Sequence, residues 1–376
     1  MHLQNLLMFA DSERDANMLY AVRMFMPDPF IYLRLQGKCH MVVSDLELDR
    51  SRREAPHCRV LPLSQMLRSM AKAGKKKYGL PHVIRDLMRQ KRLQKICVPD
   101  NFPLKLARQL RDLKVKVKLL DGPFFPQREV KSAKEVKKIS AALLMAEVGL
   151  SEGINVLRNS KIGRNRKLMY HNVPLTCEKL RSVIDTAVLQ AGGLPANTIV
   201  AGGKQGCDPH ERGRGRLFAH EPIILDVFPR SQKTGYFGDI TRTVVRGRAS
   251  ETVREMYDAV ERAQDLALQT MRSRVSCRLI HEKLVSFFEK EGFKTGRVNG
   301  RMQGFFHGTG HGLGLELHED PTMNASAERV LQSGHVVTVE PGLYYPEVGG
   351  VRLEDVAVVT STKPRNLTQF EKTLEV

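Results

Sequence analysis

The sequence has no tryptophan, no CxxC pair and only six cysteines in 376 residues. Scattered cysteines in a chain of this length are typical of reduced thiols, so we expect a cytoplasmic protein without a disulfide framework. No apolar run approaches the roughly 18 residues that a membrane span needs. The N-terminus has no basic segment followed by an apolar one, so no secretion signal is expected. A P-loop motif is also absent, and Gly202-Gly203-Lys204 is interpreted as a turn.

Acidic residues are in the minority, with 41 Asp and Glu against 60 Lys and Arg and a formal net charge of +19. A balance this basic can indicate a nucleic-acid partner. The basic runs are not interleaved with aromatic residues, as a base-stacking surface would be. These runs cover residues 50–53, 72–77, 85–95, 114–118 and 212–216. We interpret the charge as a solvated surface; a nucleic-acid partner is not expected, although the charge does not exclude one.

The chain is long enough for two domains. Two short apolar runs, 29–35 and 38–44, flank a Gln36-Gly37 turn and predict a β-hairpin. Helical patterns over 63–73, 81–92 and 103–113 then alternate with strand patterns over 95–98 and 115–120. Asp121-Gly122-Pro123 punctuates the chain after them. We therefore predict a smaller N-terminal α/β domain over residues 1–122 and a second domain over residues 128–376.

Helices open the second domain. Ser132 and Glu135 form an S-x-x-E capping box, which predicts a helix from there to about residue 157. Thr176 is the predicted N-cap of another helix, which ends near residue 190. Two further helical patterns cover about 251–272 and 280–291.

Four acidic residues interrupt apolar strand patterns. Asp226 falls in the pattern 222–228, and Asp239 falls 13 residues later in the pattern 236–245. Glu340 falls in the pattern 336–345, and Glu354 falls 14 residues later in the pattern 351–359. A lone buried carboxylate costs several kcal/mol unless it is paired or metal-bound. Each pair of helices is thus followed by a hairpin with two carboxylates, so we infer a structural duplication whose halves face a shared site.

The stretch 307–319 reads HGTGHGLGLELHE and holds three histidines, His307, His311 and His318. Histidine is a common metal ligand and proton carrier near neutral pH. The alternation of leucines from residue 313 predicts a strand from about Gly312. On this interpretation His311 ends a loop and His318 projects from the strand beyond it.

The four carboxylates and His311 together predict a metal site. Carboxylate oxygens with an imidazole suit manganese, with zinc, cobalt or iron as competitors. Four negative charges balance two dications, and carboxylates can bridge two ions as in two-metal hydrolases. A water between the ions would then be activated as hydroxide.

Several segments carry a resemblance to a known family. LDVFPRSQKTGYFGDITRT, HGTGHGLGLELHE, VTVEPGLYY and GVRLEDVAVV resemble the metallopeptidases aminopeptidase P, prolidase and methionine aminopeptidase. The resemblance spans about residue 128 to the C-terminus and implies an α+β, pseudo-twofold pita-bread catalytic fold. The first 120 residues are similar to the small domain of aminopeptidase P, prolidase and creatinase. This implies a peptidase that cleaves between an N-terminal residue and proline, with a metal-bridging hydroxide as nucleophile and a homodimer as the usual state.

The resemblance also implies roles for individual residues. The metal ligands would be Asp226, Asp239, His311, Glu340 and Glu354. Asp239 and Glu354 would bridge the ions, and Glu340 would also move the proton of the attacking water. His318 would steady the tetrahedral intermediate, while His307, His210 and Arg352 would contact or frame the substrate.

The sequence departs from the family in two places and leaves two other functions open. Val227-Phe228 follow Asp226 where a small residue is usual, and the connection to Asp239 is two residues longer than in the plainest members. A metal-free hydrolase like creatinase is one alternative, which the intact carboxylates oppose. A non-catalytic nucleic-acid or protein-binding member is the other. The choice between a dipeptidase and an aminopeptidase on longer peptides stays open.

Overall fold

A computed structural model of the chain describes residues 5–74 and 78–376. Residues 75–77 of the basic run 72–77, and the first four residues of the N-terminus, lie outside the described residues. The chain divides into two compact units, Met1–Pro126 and Gln127–Val376.

The first unit is a mixed α/β structure. Its helices are α1 Ala16–Val22, α2 Leu48–Glu54, α3 Leu63–Lys72, α4 Leu80–Gln90 and α5 Leu104–Asp112. Its strands are β1 Leu6–Ala10, β2 Phe30–Leu35, β3 Lys38–Val43, β4 Arg59–Pro62, β5 Lys95–Val98 and β6 Lys116–Leu119. They form one sheet in the order β4-β3-β2-β1-β5-β6.

The central strands β1 and β2 are buried on both faces, so they are largely apolar rather than alternating. Leu7 and Leu33 belong to the core on one face, while Leu6 and Tyr32 belong to the core on the other. The hairpin predicted around residues 36 and 37 is confirmed, since β2 and β3 pair antiparallel. Gln36 and Gly37 both have positive φ, 50° and 79°, as a type I′ turn requires.

The second unit begins with two helices, followed by strands, and then repeats that order. Its helices are α6 Ala133–Arg158, α7 Cys177–Gln190, α8 Glu251–Thr270 and α9 Cys277–Lys290. The strands of its first half are β7 Lys161–Ile162, β8 Leu168–Tyr170, β9 Val173–Pro174, β10 Gly193–Leu194, β11 Ile199–Gly202, β12 Pro222–Val227, β13 Arg230–Ser231 and β14 Ile240–Val245. The strands of its second half are β15 Gly296–Val298, β16 Arg301–Gln303, β17 Gly310–Gly312, β18 Glu319–Met323, β19 Val336–Val339, β20 Gly342–Tyr345, β21 Gly349–Arg352, β22 Asp355–Val358 and β23 Arg365–Asn366.

Helix α6 starts where the capping box predicts. The Ser132 side chain accepts from the Glu135 amide, and the Glu135 side chain accepts from the Ser132 amide. By length and composition alone this helix could cross a membrane. More than half of its most apolar window is buried inside the structure, as in the core helix of a globular domain.

Two sheets of the second unit meet at the shared site. One has the order β11-β12-β14 and the other the order β18-β17-β19-β22-β23. An antiparallel bridge between Thr241 and Glu354 joins them, and the Glu354 amide donates to the Thr241 carbonyl at 3.0 Å. Helices α6 and α7 precede the first sheet, and α8 and α9 precede the second, as the inferred duplication predicts.

Candidate metal centre and active site

A cavity of about 360 Å³ lies inside the second unit. Nine of its lining residues are the site residues that the sequence predicts. They are His210, Asp226, Asp239, His307, His311, His318, Glu340, Arg352 and Glu354. Residues separated by up to 144 positions in the chain therefore meet in one pocket.

The two aspartates come from the hairpin of β12 and β14. Asp226 lies within β12, opposite Thr241 of β14. Asp239 lies just before β14 rather than inside it, so the predicted strand 236–245 is too long at its start. Gly238, just before Asp239, lies against helix α6: a Cβ at this position would overlap the backbone of Ala142. Only glycine allows the segment leading to Asp239 to pass so close to the helix.

Both glutamates lie where a strand is interrupted. Glu340 separates β19 from β20, and Glu354 precedes β22, so the continuous strands predicted over 336–345 and 351–359 are wrong. The Glu340 amide donates to the Thr309 carbonyl at 2.8 Å instead of continuing the ladder. Buried Gln264 of α8 donates to the carbonyls of Val339 and Leu353 at 2.8 and 3.2 Å. One amide group thus holds the residues that precede each glutamate.

His311 lies in the short strand β17, not at the end of a loop as predicted. Its Nδ1 faces the Gly312 carbonyl at 3.1 Å, and because a carbonyl only accepts, Nδ1 carries the proton. Nε2 is then left with its lone pair towards the carboxylates. It lies 3.8 Å from Asp239 Oδ2 and 3.5 Å from Glu340 Oε1.

The predicted strand from Gly312 to His318 is also wrong, because the chain folds into a loop between β17 and β18. Leu313 and Leu315 are buried, so their apolar spacing reflects burial without a strand. The Glu319 carboxylate accepts from the Leu315 amide at 3.0 Å and receives Lys131 Nζ at 2.8 Å. His318 projects from this loop, and its ring centroid lies 4.4 Å from that of His311.

The carboxylates of the cluster repel one another. Burial and the neighbouring charges of Glu354, Asp226 and Glu340 raise the pKa of Asp239 well above its usual value. Burial and the charges of Glu340 and Asp226 also raise the pKa of Glu354 well above its usual value. Burial also raises the pKa of Glu340 to about 7, against the opposing effect of Arg352. Like charges held together in a dry site have to be neutralised by protons or shared by a cation.

The ligand atoms are placed to accept such a cation. One atom each of Asp239, His311 and Glu354 lies within 4.8 Å of the other two. Asp226 Oδ1 is buried and has no hydrogen-bond partner among residues 5–74 and 78–376. An orphaned carboxylate oxygen, further carboxylates and an imidazole Nε2 fit the donor set of a divalent ion. The residues present therefore fit the metal centre that the sequence predicts.

A hydrogen-bond chain links His307 to Asp226 across the cavity. His307 Nδ1 donates to the Gly308 carbonyl at 2.7 Å, so its Nε2 accepts from the Tyr344 hydroxyl at 2.8 Å. Arg352 donates to Tyr344 Oη at 3.1 Å and to Asp226 Oδ2 at 2.6 Å. Burial and Arg352 lower the pKa of His307 to about 3, so this imidazole is neutral.

His318 and His210 line other parts of the cavity. Burial and the nearby His311 and His210 lower the pKa of His318. His210 is exposed, and its amide donates to Asp208 Oδ1 at 3.1 Å. All four predicted histidines therefore line the cavity. Of these four, His311 is the one whose ring nitrogen lies close enough to the carboxylates to share a cation with them.

The sequence analysis missed three residues that build this site. Besides Gln264 and Tyr344, Arg242 is fully buried and donates to the carbonyls of Thr241 and Glu354 at 3.0 and 2.7 Å. The sequence does contain a signal for such residues, namely a charged or amide side chain on the apolar face of a predicted helix or strand. Gln264 lies between Val260 and Ala267 on the buried side of α8.

Comparison with known proteins places these residues in a family context. Residues 137–361 match the model of metallopeptidase family M24. The Xaa-Pro dipeptidase of Pyrococcus horikoshii is 30% identical over 259 residues, which cover 68% of this chain and 67% of that protein.

Solved structures are similar over almost the whole chain. The X-Pro aminopeptidase of Thermotoga maritima has a TM-score of 0.82 at 22% identity, covering 99% of this chain and 97% of that one. The prolidase of Pyrococcus furiosus has a TM-score of 0.77 at 22% identity, covering 98% and 97%. The predicted fold, an N-terminal α/β domain followed by a pita-bread domain, is confirmed.

Proposed function

This chain belongs to metallopeptidase family M24, and on that premise we propose that it hydrolyses the peptide bond between an N-terminal residue and a following proline. As a member of the family it is a metallopeptidase that uses divalent metal ions. The names of its relatives, Xaa-Pro dipeptidase and X-Pro aminopeptidase, support the proline specificity. The observation that carries the proposal is the gathering of four carboxylates and His311 in one cavity with three further histidines.

We assign two ions to the site, with manganese as the first candidate and zinc, cobalt and iron as competitors. Asp226, Asp239, His311, Glu340 and Glu354 would hold them. When bound, such ions lower the pKa of a coordinated water towards neutrality and polarise the scissile carbonyl. The protonated Nδ1 of His311 supports this assignment, because it leaves Nε2 free to coordinate.

The residues around the ions have separate tasks in this proposal. Glu340 takes the proton of the attacking water and passes it to the leaving proline nitrogen. His318 donates to the oxygen that becomes negative in the transition state, so in this role it is protonated at the nitrogen facing the substrate. His307 and His210 contact the substrate on the proline side. Arg352 frames the substrate side of the cavity and orients Asp226 and Tyr344.

Arg352 is the single arginine or lysine in the pocket lining among the residues that the structure describes. The runs 50–53, 85–95, 114–118 and 212–216 contribute nothing to it, and neither do the described residues of the run 72–77. We therefore propose a peptide substrate for this pocket, and a nucleic-acid partner is not expected. We further propose a cytoplasmic homodimer, since its six cysteines are free thiols and a dimer is the usual state of the family it resembles.

A substrate panel tests the function. Purified protein would be stripped with a chelator and reloaded with Mn²⁺, Co²⁺ or Zn²⁺. Each form would then be given Xaa-Pro dipeptides, longer peptides with proline second, and the same peptides with alanine in place of proline. We expect metal-dependent cleavage of the proline peptides only. Equal cleavage of the alanine peptides would contradict the proline specificity, and cleavage by stripped protein would contradict the metal requirement.

A further inference from the structure

Two cysteines of the N-terminal unit lie side by side, one in β3 and the other immediately before β4. Strands β3 and β4 are parallel, and His40 pairs with Arg59. Cys39 precedes His40 within β3, and Cys58 precedes Arg59, the first residue of β4. Neighbouring strands lie about 4.8 Å apart. This separation falls within the roughly 4.4–6.8 Å between Cα atoms that a disulfide spans.

Both thiols also point to the same side of the sheet. Cys58 belongs to the core on the face that contains Met41, and Cys39 and Val60 pack against that same core. Side chains on one face at neighbouring register positions can meet without movement of the backbone. Cys58 is buried, while Cys39 is partly exposed and open to a small reagent.

The surroundings of Cys39 favour its reactive form. The Tyr32 hydroxyl lies 3.3 Å from Cys39 Sγ. Hydrogen bonding from the Cys58 thiol and from Tyr32, with the positive charges of His57 and Arg34, lowers the pKa of Cys39 to about 5. The thiolate is the nucleophile in thiol oxidation, and reactive cysteines are partly exposed and held near positive groups.

We propose that Cys39 and Cys58 are a hydroperoxide-sensitive thiol pair that forms a reversible disulfide between β3 and β4. The Cys39 thiolate attacks the outer oxygen of the hydroperoxide and breaks the O–O bond. This produces a sulfenic acid on Cys39 and, after proton uptake, an alcohol or water. The Cys58 sulfur then attacks the Cys39 sulfur, the S–O bond breaks, and the Cys58 proton leaves with the oxygen as water. Two thiols are oxidised by two electrons, and one hydroperoxide is reduced.

Cys207 serves as the matched control. It is partly exposed like Cys39, yet burial raises the pKa of its thiol to about 11. At pH 7 we expect Cys39 to react with iodoacetamide on the order of 10-fold faster than Cys207, because thiolate fraction outweighs the lower nucleophilicity of a less basic sulfur. Tyr32→Phe removes the hydroxyl next to Cys39 and should shift the pH profile of that alkylation upward.

The test uses the reduced full-length protein with one equivalent of hydrogen peroxide. We expect the six free thiols to fall to four and a Cys39–Cys58 linked peptide to appear on non-reducing digestion and disappear with dithiothreitol. Cys39→Ser should retain all of its five thiols, and Cys207→Ser should still form the linked peptide. Cys58→Ser, or Cys58→Ala if that variant folds poorly, should leave a sulfenic acid on Cys39 that dimedone traps.

Two results would overturn the proposal. One is oxidation spread over all six cysteines at similar rates, with no preferred linked peptide. The other is a dimedone adduct on Cys39 in the wild-type protein as abundant as in Cys58→Ser, since Cys58 would then not resolve the sulfenic acid.

Discussion

Arg352 Nη2 lies 2.6 Å from Asp226 Oδ2, and both side chains are buried. The same guanidinium donates to Tyr344 Oη at 3.1 Å and to Thr241 Oγ1 at 3.3 Å. It therefore occupies one oxygen of Asp226 and leaves the other, Oδ1, without a partner inside the described cavity. The arginine thus fixes which oxygen of Asp226 is available to a cation.

Replacing this arginine with lysine should weaken metal binding while keeping the charge. A lysine ammonium has no planar fork, so it cannot hold Asp226 and Tyr344 together. We expect Arg352→Lys to lower metal affinity roughly 10- to 100-fold, the usual effect of losing a group that orients a ligand. Calorimetric titration of the stripped protein with Mn²⁺ measures this. Arg246→Lys, which alters an arginine bonded to the carbonyls of Ser160 and Val376, should change the affinity little.

Changing Asp239 to asparagine should abolish activity and yet stabilise the stripped protein. The carboxylate is repelled by Glu354, Asp226 and Glu340, and its removal relieves that repulsion. We expect the free energy of unfolding of the metal-free protein to rise by roughly 1–3 kcal/mol. An assay with an Xaa-Pro dipeptide and Mn²⁺ checks the loss of activity, and chemical denaturation of the stripped protein checks the gain in stability. In the same denaturation experiment, added Mn²⁺ should stabilise the wild-type protein far more than the variant.

Asp49→Asn is the control for that experiment, because the Asp49 side chain is 94% exposed. Asp49→Asn should change neither the free energy of unfolding of the stripped protein nor its stabilisation by Mn²⁺. A stripped Asp239→Asn protein that is less stable than the wild type would show that the carboxylates are not in mutual repulsion.

Gln264→Leu should disturb both glutamates at once. The carbonyls of Val339 and Leu353 would lose their buried donor, at a cost of about 2–4 kcal/mol in the free energy of unfolding. Because these carbonyls precede Glu340 and Glu354, we expect kcat to fall more than KM changes. Gln232→Leu removes an exposed amide that donates to the Gly193 carbonyl, and it should cost less than about 1 kcal/mol with no change in kcat.

His335 should make the stability of the protein depend on pH. Burial, with the charges of Lys131 and Arg329, lowers its pKa to about 4. Between pH 6.5 and pH 4 the unfolded chain then binds a proton that the folded chain does not, so stability falls as the pH falls through this window. After solvent screening we expect a loss on the order of 1–2 kcal/mol.

The variant His335→Asn should remove this dependence while keeping an acceptor for the Gln332 amide. Denaturation curves at pH 7.5, 6 and 4.5 would show a shallower slope than for the wild type. His171→Asn, at an exposed position, should keep the wild-type slope. If the free energy of unfolding of His335→Asn varies with pH as steeply as that of the wild type, His335 is not the source of the pH dependence.

The sequence was informative where a local rule acts on neighbouring residues. The capping box at Ser132, the Thr176 cap and the turn at residues 36 and 37 each depend on a few adjacent side chains, and each is confirmed. The four acids were noticed because a charge inside an apolar run is costly, and the structure places all four in one cavity. The expected burial of these four acids was the signal that identified them.

Alternation of apolar residues was a poorer guide near the site. It predicted continuous strands through Asp239, Glu340 and Glu354, and another from Gly312 to His318. In each place a contact distant in sequence breaks the ladder, such as the Glu340 amide bonding to Thr309 or Lys131 and Arg128 fixing Glu319. Those partners lie 31 to 191 residues away, so no local pattern could reveal them.

Metal titration of activity tests the central claim most directly. Stripped protein would receive Mn²⁺ in steps while the release of proline from an Xaa-Pro dipeptide is followed and the bound metal is measured. We expect no activity without metal, and a rise that reaches its plateau at two ions per chain. Full activity in the stripped protein, or no cleavage of any peptide with proline second once two ions are bound, would contradict a dinuclear Xaa-Pro peptidase.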